Sequence, residues 1–194
     1  MKNTSPLTVF LLSPANLAGK RGQLLLDPRG ASQLAQQLRS PSGAPLGEVF
    51  SFVSSLYFRG KLAYAQAFGL NPPGPLVMTA GGGLSQVHEL VTLSRLQGWS
   101  NVAIHHDNPH FTAPLIRQAT ALLDTASPET RFVLLGSVAS RKYTAPLLEV
   151  FGQRLLFPAE FAGLGDMSRG SLLLKAVSAG RELTYRSVRD AAGE

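Results

Sequence analysis

The sequence predicts a single α/β domain spanning residues 1–194, with a largely parallel or mixed sheet flanked by helices. Short apolar runs of strand length alternate with segments of helical periodicity, which is the order expected when helices connect parallel strands. A chain of 194 residues is also long enough to bury a substantial core. Apolar residues make up 44% of the chain and charged residues 15%, a globular rather than a disordered composition.

The first half of the chain begins with a buried strand and continues with helices. Residues 7–12 form a continuous apolar run that ends at Ser13-Pro14, and Gly19-Lys20-Arg21-Gly22 is expected to be a cationic turn. Helices are expected over residues 31–39 and 47–68, the second with Gly60 as a weak point, and residues 76–79 form a second strand.

The second half repeats this alternation. Helices are expected over residues 92–99 and 112–125, the latter with Pro114 in its first turn, where proline is tolerated. Strands are expected over residues 101–104, 132–135 and 155–157, and residues 181–188 alternate like an edge strand.

Small and cationic residues follow several of the predicted strands. We call the segment directly after a predicted strand its exit. The exits are Ser13, residues 81–83, residues 136–142 and residues 163–169. In parallel sheets the ligand crevice lies outside the carboxyl ends of the strands, so the exits are expected to meet on one edge. The triple glycine of residues 81–83 lacks the spacing of a nucleotide-binding motif and is expected to be a tight turn. Ser137 lacks the second glycine of the hydrolase elbow and is also expected to be a turn residue.

Two strand-to-helix junctions predict an anion-binding edge. Glycines let a backbone approach a ligand closely, and a helix N-terminus attracts anions. The predicted anion-binding loop consists of Gly163, Gly165 and Ser168, with Arg141, Lys142 and Arg169 as cations beside it. Asp166 is expected to be a helix N-cap. Arg169 has two interpretations, a fork onto phosphate or an i, i+3 pair with Asp166.

The charge of the chain favours a polyanionic partner. The net charge is +6 with a pI near 10.1, and a basic excess raises the local concentration of nucleic acid. Lys20, Arg21, Arg59 and Lys61 are predicted to extend the nucleic-acid-binding surface beyond the two junctions. A basic surface that serves only solubility is the alternative.

No metal, cofactor or membrane segment is predicted. Cysteine is absent, which excludes disulfides and thiolate ligands. His105, His106, Asp107 and His110 form the densest group of candidate metal ligands, but a polar loop is the favoured interpretation because Pro109 interrupts helical spacing. No apolar stretch is long enough to span a membrane or to form the apolar part of a signal peptide, so a soluble, cytoplasmic protein is expected.

Several of these motifs resemble those of a known family. The strand ending in Ser13-Pro14-Ala15 is similar to the start of the bacterial YaaA peroxide-stress family. The same holds for Ala139-Ser140-Arg141-Lys142-Tyr143 and for Gly165-Asp166-Met167-Ser168-Arg169. Leu56-Tyr57 with Tyr64, and Gly83-Leu84, resemble related uncharacterised proteins similar in layout to uracil-DNA glycosylases. Asn16 stands where the YaaA family has lysine. The resemblance implies a single α/β domain that binds DNA and limits damage under oxidative stress.

These observations together predict a DNA-binding protein whose binding is largely independent of sequence. The alternative is an enzyme that cleaves or exchanges the N-glycosidic bond of a nucleoside or nucleic-acid base. That alternative predicts a deep pocket at the strand exits with an aromatic wall, from Tyr57 or Tyr143, and a carboxylate for which Asp166 is the candidate. A third possibility is a protein–protein module whose basic charge is incidental.

Overall fold

A computed structural model describes residues 7–69 and 72–191. The strands are β1 (Thr8–Leu12), β2 (Ala44–Pro45), β3 (Leu76–Thr79), β4 (Gly83–Gln86), β5 (Leu90–Val91), β6 (Arg131–Leu135), β7 (Leu155–Pro158) and β8 (Tyr185–Ser187). The helices are α1 (Lys20–Leu26), α2 (Gln33–Arg39), α3 (Leu46–Phe68), α4 (Leu93–Ser100), α5 (Pro109–Thr125), α6 (Arg141–Phe151), α7 (Asp166–Ser178) and α8 (Val188–Ala191).

The predicted α/β class is confirmed, with one mixed sheet that is parallel at its centre. Six strands are hydrogen-bonded in the order β4-β3-β1-β6-β7-β8. β1 is parallel to β3 and β6, and β6 is parallel to β7, whereas the edge strands β4 and β8 are antiparallel to their neighbours. The last residue of β1, Leu12, is in register with Val77 and Leu135. The chain therefore leaves β1, β3, β6 and β7 at the same edge of the sheet.

Close helix packing covers the sheet beside this edge. α3 and α7 approach each other through two glycines, Gly60 and Gly170. A Cβ atom on Gly60 would lie 2.7 Å from the Gly170 carbonyl oxygen, and one on Gly170 would lie 2.9 Å from Tyr57 Cα. The two backbones are therefore in direct contact, and this contact brings Tyr57 of α3 close to the first turns of α7.

Two local predictions are wrong, and two others are right in kind but differ in extent. Residues 101–104 form no strand, and Gly19 is followed by α1 rather than by an isolated turn. The predicted edge strand over residues 181–188 is reduced to β8. α5 begins at Pro109 because the Asn108 side chain accepts a hydrogen bond from the His110 N–H and proline fits the first helical position. Pro114 therefore lies inside that helix.

The long helix α3 is interrupted at Ser55 and not at Gly60. Ser55 has φ 50° and ψ −120°, and it is the one non-glycine residue with positive φ in the described ranges 7–69 and 72–191. Such a conformation costs on the order of 1–3 kcal/mol for a residue with a Cβ atom. The sequence carries no sign of it, because serine there matches the helical pattern on either side.

Replacing Ser55 with glycine is expected to raise the free energy of unfolding by about 1 kcal/mol, since glycine adopts this conformation without the Cβ clash. Urea denaturation measures the change. Ser51→Gly is the matched control, because Ser51 lies in the regular first half of the same helix. That control should lose about 0.5 kcal/mol. A lower free energy of unfolding for Ser55→Gly than for the wild type would show that the backbone at Ser55 is not strained.

Candidate functional site

A cavity of about 530 Å³ lies where the parallel strands end. Its lining comes from the exits of β1, β3 and β6, the first turns of α6 and α7, and parts of α3 and of residues 99–104. The lining residues are Ser13, Pro14, Ala15, Asn16, Leu17, Ala18, Phe50, Ser54, Tyr57, Ala80, Trp99, Ser100, Val102, Ala103, Ile104, Ser137, Lys142, Tyr143 and Asp166. The size is that of a small-molecule site. The predicted convergence of strand exits is thus present as a cavity whose charged lining residues are Lys142 and Asp166.

Aromatic side chains form much of the cavity wall. Phe50 and Tyr57 come from α3, Trp99 from α4 and Tyr143 from α6. All four are almost fully buried. Burial raises the pKa of Tyr57 to about 12 and also raises that of Tyr143, so both phenols stay protonated at neutral pH. Flat apolar faces with attached donors are suited to a planar, partly polar ligand.

The hydroxyl of Tyr57 is a buried donor without a partner among the described residues. Arg169 lies near enough for its charge and a weak hydrogen bond from its guanidinium to lower the Tyr57 pKa, against the larger effect of burial, and the phenol O–H still lacks an acceptor. The guanidinium nevertheless makes its hydrogen bonds to the Phe161 carbonyl and its ion pair with Asp166. A buried polar atom of this kind costs free energy unless a ligand or water satisfies it.

Asp166 is the carboxylate of the cavity. It is the first residue of α7, and Gly165 occupies the N-cap position, so the expectation that Asp166 caps the helix is wrong by one residue. Its side chain is 71% exposed and its Oδ1 lies 3.5 Å from Arg169 Nη1. A carboxylate in the first turn of a helix is stabilised by the helix dipole.

Two predicted nucleic-acid-binding residues are buried, so their side chains are not at the surface where phosphate contacts were expected. Arg169 packs over Phe161 and pairs with Asp166, which is the second of its two interpretations. Lys61 is 1% exposed, although lysine is usually at the surface. The helical register of α3 places Lys61 on the inner face, next to Gly60 and facing the end of β1.

Among the residues that the structure describes, the hydrogen bonds of the buried Lys61 side chain both go to Ser13. Its Nζ lies 2.6 Å from the carbonyl oxygen and 2.9 Å from Oγ of Ser13, which lines the cavity. The rings of Tyr57 and Phe58 flank Nζ, with centroids 4.5 and 5.0 Å away. Burial lowers the pKa of Lys61 to about 7, opposed by the negative charge of Asp166.

The remaining predicted cations lie on three different helices, α1, α3 and α6. Lys20 and Arg21 begin α1, and Arg21 Nη1 donates to the Phe52 carbonyl at 3.4 Å. Arg59 is exposed on α3, and Arg141 is exposed at the start of α6. Lys142 is half-buried and is the one predicted cation that lines the cavity.

The predicted anion-binding loop is exposed, but it contains a carboxylate. Gly163, Gly165 and Ser168 lie at the surface, with φ of 72° at Gly163. Asp166 lies between Gly165 and Ser168 and adds negative charge at the helix N-terminus, where a phosphate would otherwise be favoured. The loop is therefore better suited to a neutral or cationic group than to phosphate.

The histidine-rich segment forms a small polar cluster beside the cavity residue Ile104. The ligand atoms of His105, His106 and Asp107 lie within 4.8 Å of one another. The Asp107 carboxylate is 3.6 Å from His105 Nδ1 and 3.3 Å from His106 Nε2. His105 and Asp107 are exposed, and His110 lies outside this cluster in the first turn of α5.

Two features of the site went unrecognised in the sequence. The contact between Ser13 and Lys61 joins residues 48 positions apart, and each had a simpler local interpretation. Trp99 closes one wall of the cavity and also packs against Gly81 and Gly82, which form the predicted tight turn. The Thr79 hydroxyl accepts from the Gly82 N–H in that turn.

Comparisons with protein-family models, with curated proteins and with solved structures find no match. No helix within the described residues combines the length and apolarity needed to cross a membrane. The resemblance to the peroxide-stress family therefore stays a prediction.

Proposed function

We propose that the protein binds a nucleoside or nucleic-acid base in the cavity and cleaves or exchanges its N-glycosidic bond. The observation that carries the proposal is the cavity itself, at the carboxyl ends of the parallel strands, with four aromatic walls and Asp166 at its edge. Sequence-independent DNA binding, the leading sequence-based prediction, is less favoured because Lys61 and Arg169 are buried.

The cavity offers the contacts that a base requires. Stacking of a base on an aromatic ring contributes about 1–3 kcal/mol, and Trp99, Tyr57 and Tyr143 supply such rings. The free hydroxyl of Tyr57 can donate to a carbonyl oxygen of the base. Enzymes that act on bases read them by hydrogen bonds and by stacking in pockets of this kind.

The charged groups of the cavity suit glycosidic chemistry. When the C–N bond breaks, its electron pair leaves with the base and positive charge develops on the sugar, as in glycoside hydrolysis. Asp166 stabilises that charge and accepts the proton of the attacking water. Lys142, the other charged lining residue, donates a hydrogen bond to the departing base. The exposed Arg59 and Arg141 attract the phosphates when the base belongs to a nucleic acid.

Asp166→Asn is expected to lower the rate of base release by about 100-fold or more, since the amide can neither accept the proton nor balance the developing charge. Free base is measured by chromatography with a panel of deoxynucleosides and single-stranded oligonucleotides. Asp124→Asn is the control, because Asp124 is exposed on α5 and distant in sequence from the cavity residues. Trp99 is the sole tryptophan of the chain, so its fluorescence reports ligand binding independently of turnover.

Absence of base release would contradict the proposal. If wild-type protein binds DNA with an affinity that falls steeply with salt but releases no base, sequence-independent DNA binding is the correct function. If the wild-type protein binds a protein partner at high salt and has no nucleic-acid affinity, the correct function is that of a protein–protein module whose basic charge is incidental.

A further inference from the structure

We propose that Ser13 and Lys61 form a serine–lysine pair, in which Lys61 removes the hydroxyl proton of Ser13 and Ser13 attacks the carbonyl carbon of an aromatic ester held in the cavity. This activity uses the same cavity as the glycosidic reaction but does not depend on it.

The contact has the geometry of an activated nucleophile. Nζ and Oγ are 2.9 Å apart, within the range for proton transfer between a nucleophile and its base. The second contact of Nζ, with the Ser13 carbonyl oxygen at 2.6 Å, holds the amine in position. A neutral amine can donate one proton to that carbonyl and still offer its lone pair to the hydroxyl, and serine–lysine pairs are a known variant of the catalytic triad.

The surroundings of Lys61 favour the neutral amine that a base must be. The side chain is 1% exposed, with aromatic rings on two sides. The titratable and charged groups around it are Tyr57 on its own helix, Asp166 and Arg169 on α7, and Tyr143 on α6. Both tyrosines have raised pKa values and stay neutral, and Asp166 is paired with Arg169. Desolvation is the largest effect on Lys61 and favours loss of its proton.

The cavity provides the remaining parts of the reaction. Ser13 lines the cavity and follows β1 directly, so its hydroxyl is fixed to the central strand of the sheet. Tyr57 lines the same cavity and its hydroxyl is the unpartnered donor, which suits the oxygen of a tetrahedral intermediate. The aromatic walls favour a substrate with an aromatic ring.

The steps balance with water as the second reactant. The Ser13 proton moves to Lys61, and Oγ forms a bond to the carbonyl carbon while the C=O electron pair moves to oxygen. The intermediate collapses, the C–O bond to the alcohol breaks, and the alcohol takes the proton from Lys61. Water then attacks the acylated Ser13, Lys61 again accepts and returns a proton, and the acid leaves.

Phenylmethylsulfonyl fluoride tests the nucleophile on the intact chain without any nucleoside. Ser13 Oγ is expected to displace fluoride and form a sulfonyl adduct, located by peptide mass mapping. Ser54 and Ser137 line the same cavity and are internal comparisons. The labelling rate should rise with pH up to about 7 and level off above it, because the neutral amine is the base.

Lys61→Met should lower the labelling rate about 100-fold or more, and Ser13→Ala should abolish the adduct. Lys175→Met is the matched control, because Lys175 is exposed at the other end of α7. Circular dichroism confirms that each variant is folded. With 4-nitrophenyl acetate, the wild type should release a burst of 4-nitrophenolate that Ser13→Ala lacks.

Three results would overturn the pair: no adduct on folded wild-type protein, an adduct on Ser54 or Ser137 in place of Ser13, or wild-type labelling in folded Lys61→Met. If Lys61→Met does not fold, the pH profile of the wild type decides, and a flat rate between about pH 6 and pH 9 overturns the proposal.

Discussion

Gly170→Ala is expected to lower the free energy of unfolding by about 2 kcal/mol, although alanine is the better helix former. The added Cβ would lie 2.9 Å from Tyr57 Cα and 3.0 and 3.1 Å from the carbonyl oxygen and carbon of Leu56. All three are backbone atoms, so no side-chain rotation relieves the clash and α3 and α7 must move apart. Urea denaturation measures the loss.

Gly98→Ala is the matched control for this substitution. Gly98 is also inside a helix, α4, and nothing lies within 4 Å of a Cβ atom placed there. It should gain about 0.5–1 kcal/mol from helix propensity alone. Equal effects at the two positions would contradict the close contact between α3 and α7.

Because that contact aligns Tyr57 with the start of α7, Gly170→Ala is also expected to weaken the quenching of Trp99 fluorescence by a bound nucleoside.

The stability of the wild type is expected to rise by about 2 kcal/mol between pH 7 and pH 9 relative to that of Lys61→Met. The pKa of Lys61 is lowered from 10.5 to about 7 in the folded protein, so in this range the unfolded chain binds a proton that the folded protein does not. Stability therefore increases with pH up to the unfolded pKa, and falls as the pH decreases toward 7. Below the folded pKa both states are protonated and Lys61 adds no further slope.

Denaturation of both proteins across this pH range measures the difference. The buried tyrosines have raised pKa values and lose protons more readily when unfolded, but they are present in both proteins and cancel in the comparison. Lys175→Met should follow the wild-type curve, since that lysine is exposed. Parallel curves for the wild type and Lys61→Met would show that Lys61 titrates normally and would remove the neutral amine on which the serine–lysine pair depends.

The strands and helices were largely predictable because their signals are local. β1, β3 and β6 are fully buried or nearly so, and they appear in the sequence as short apolar runs. The wrong predictions fell where local signals compete. Residues 101–104 have the apolar character of a strand but lack a neighbour to pair with, and Ser55 breaks a helix that its sequence continues.

The position of the candidate site in the fold was predictable from the sequence, but the contacts between its side chains were not. Glycines and small residues after successive strands predicted that the exits would meet, and Asp166, Lys142, Tyr57 and Tyr143 were named as candidates. Lys61 and Arg169 were expected at the surface because formal charge is visible in a sequence whereas burial is not. Helical spacing placed Lys61 beside Gly60 on the predicted helix. It could not show which other element of the fold would pack against that face of the helix.

The sequence by itself determined the α/β class, the order of most elements and the edge of the sheet at which the strand exits meet, because hydrophobic periodicity and turn residues act within a few positions along the chain. The tertiary structure alone decided which side chains are buried away from water. It brought Ser13 at the end of β1 against Lys61 of α3, and Arg169 against Phe161 and Asp166. Desolvation depends on everything that surrounds a group, so the chemistry of these cations followed from packing between distant segments and not from their charge.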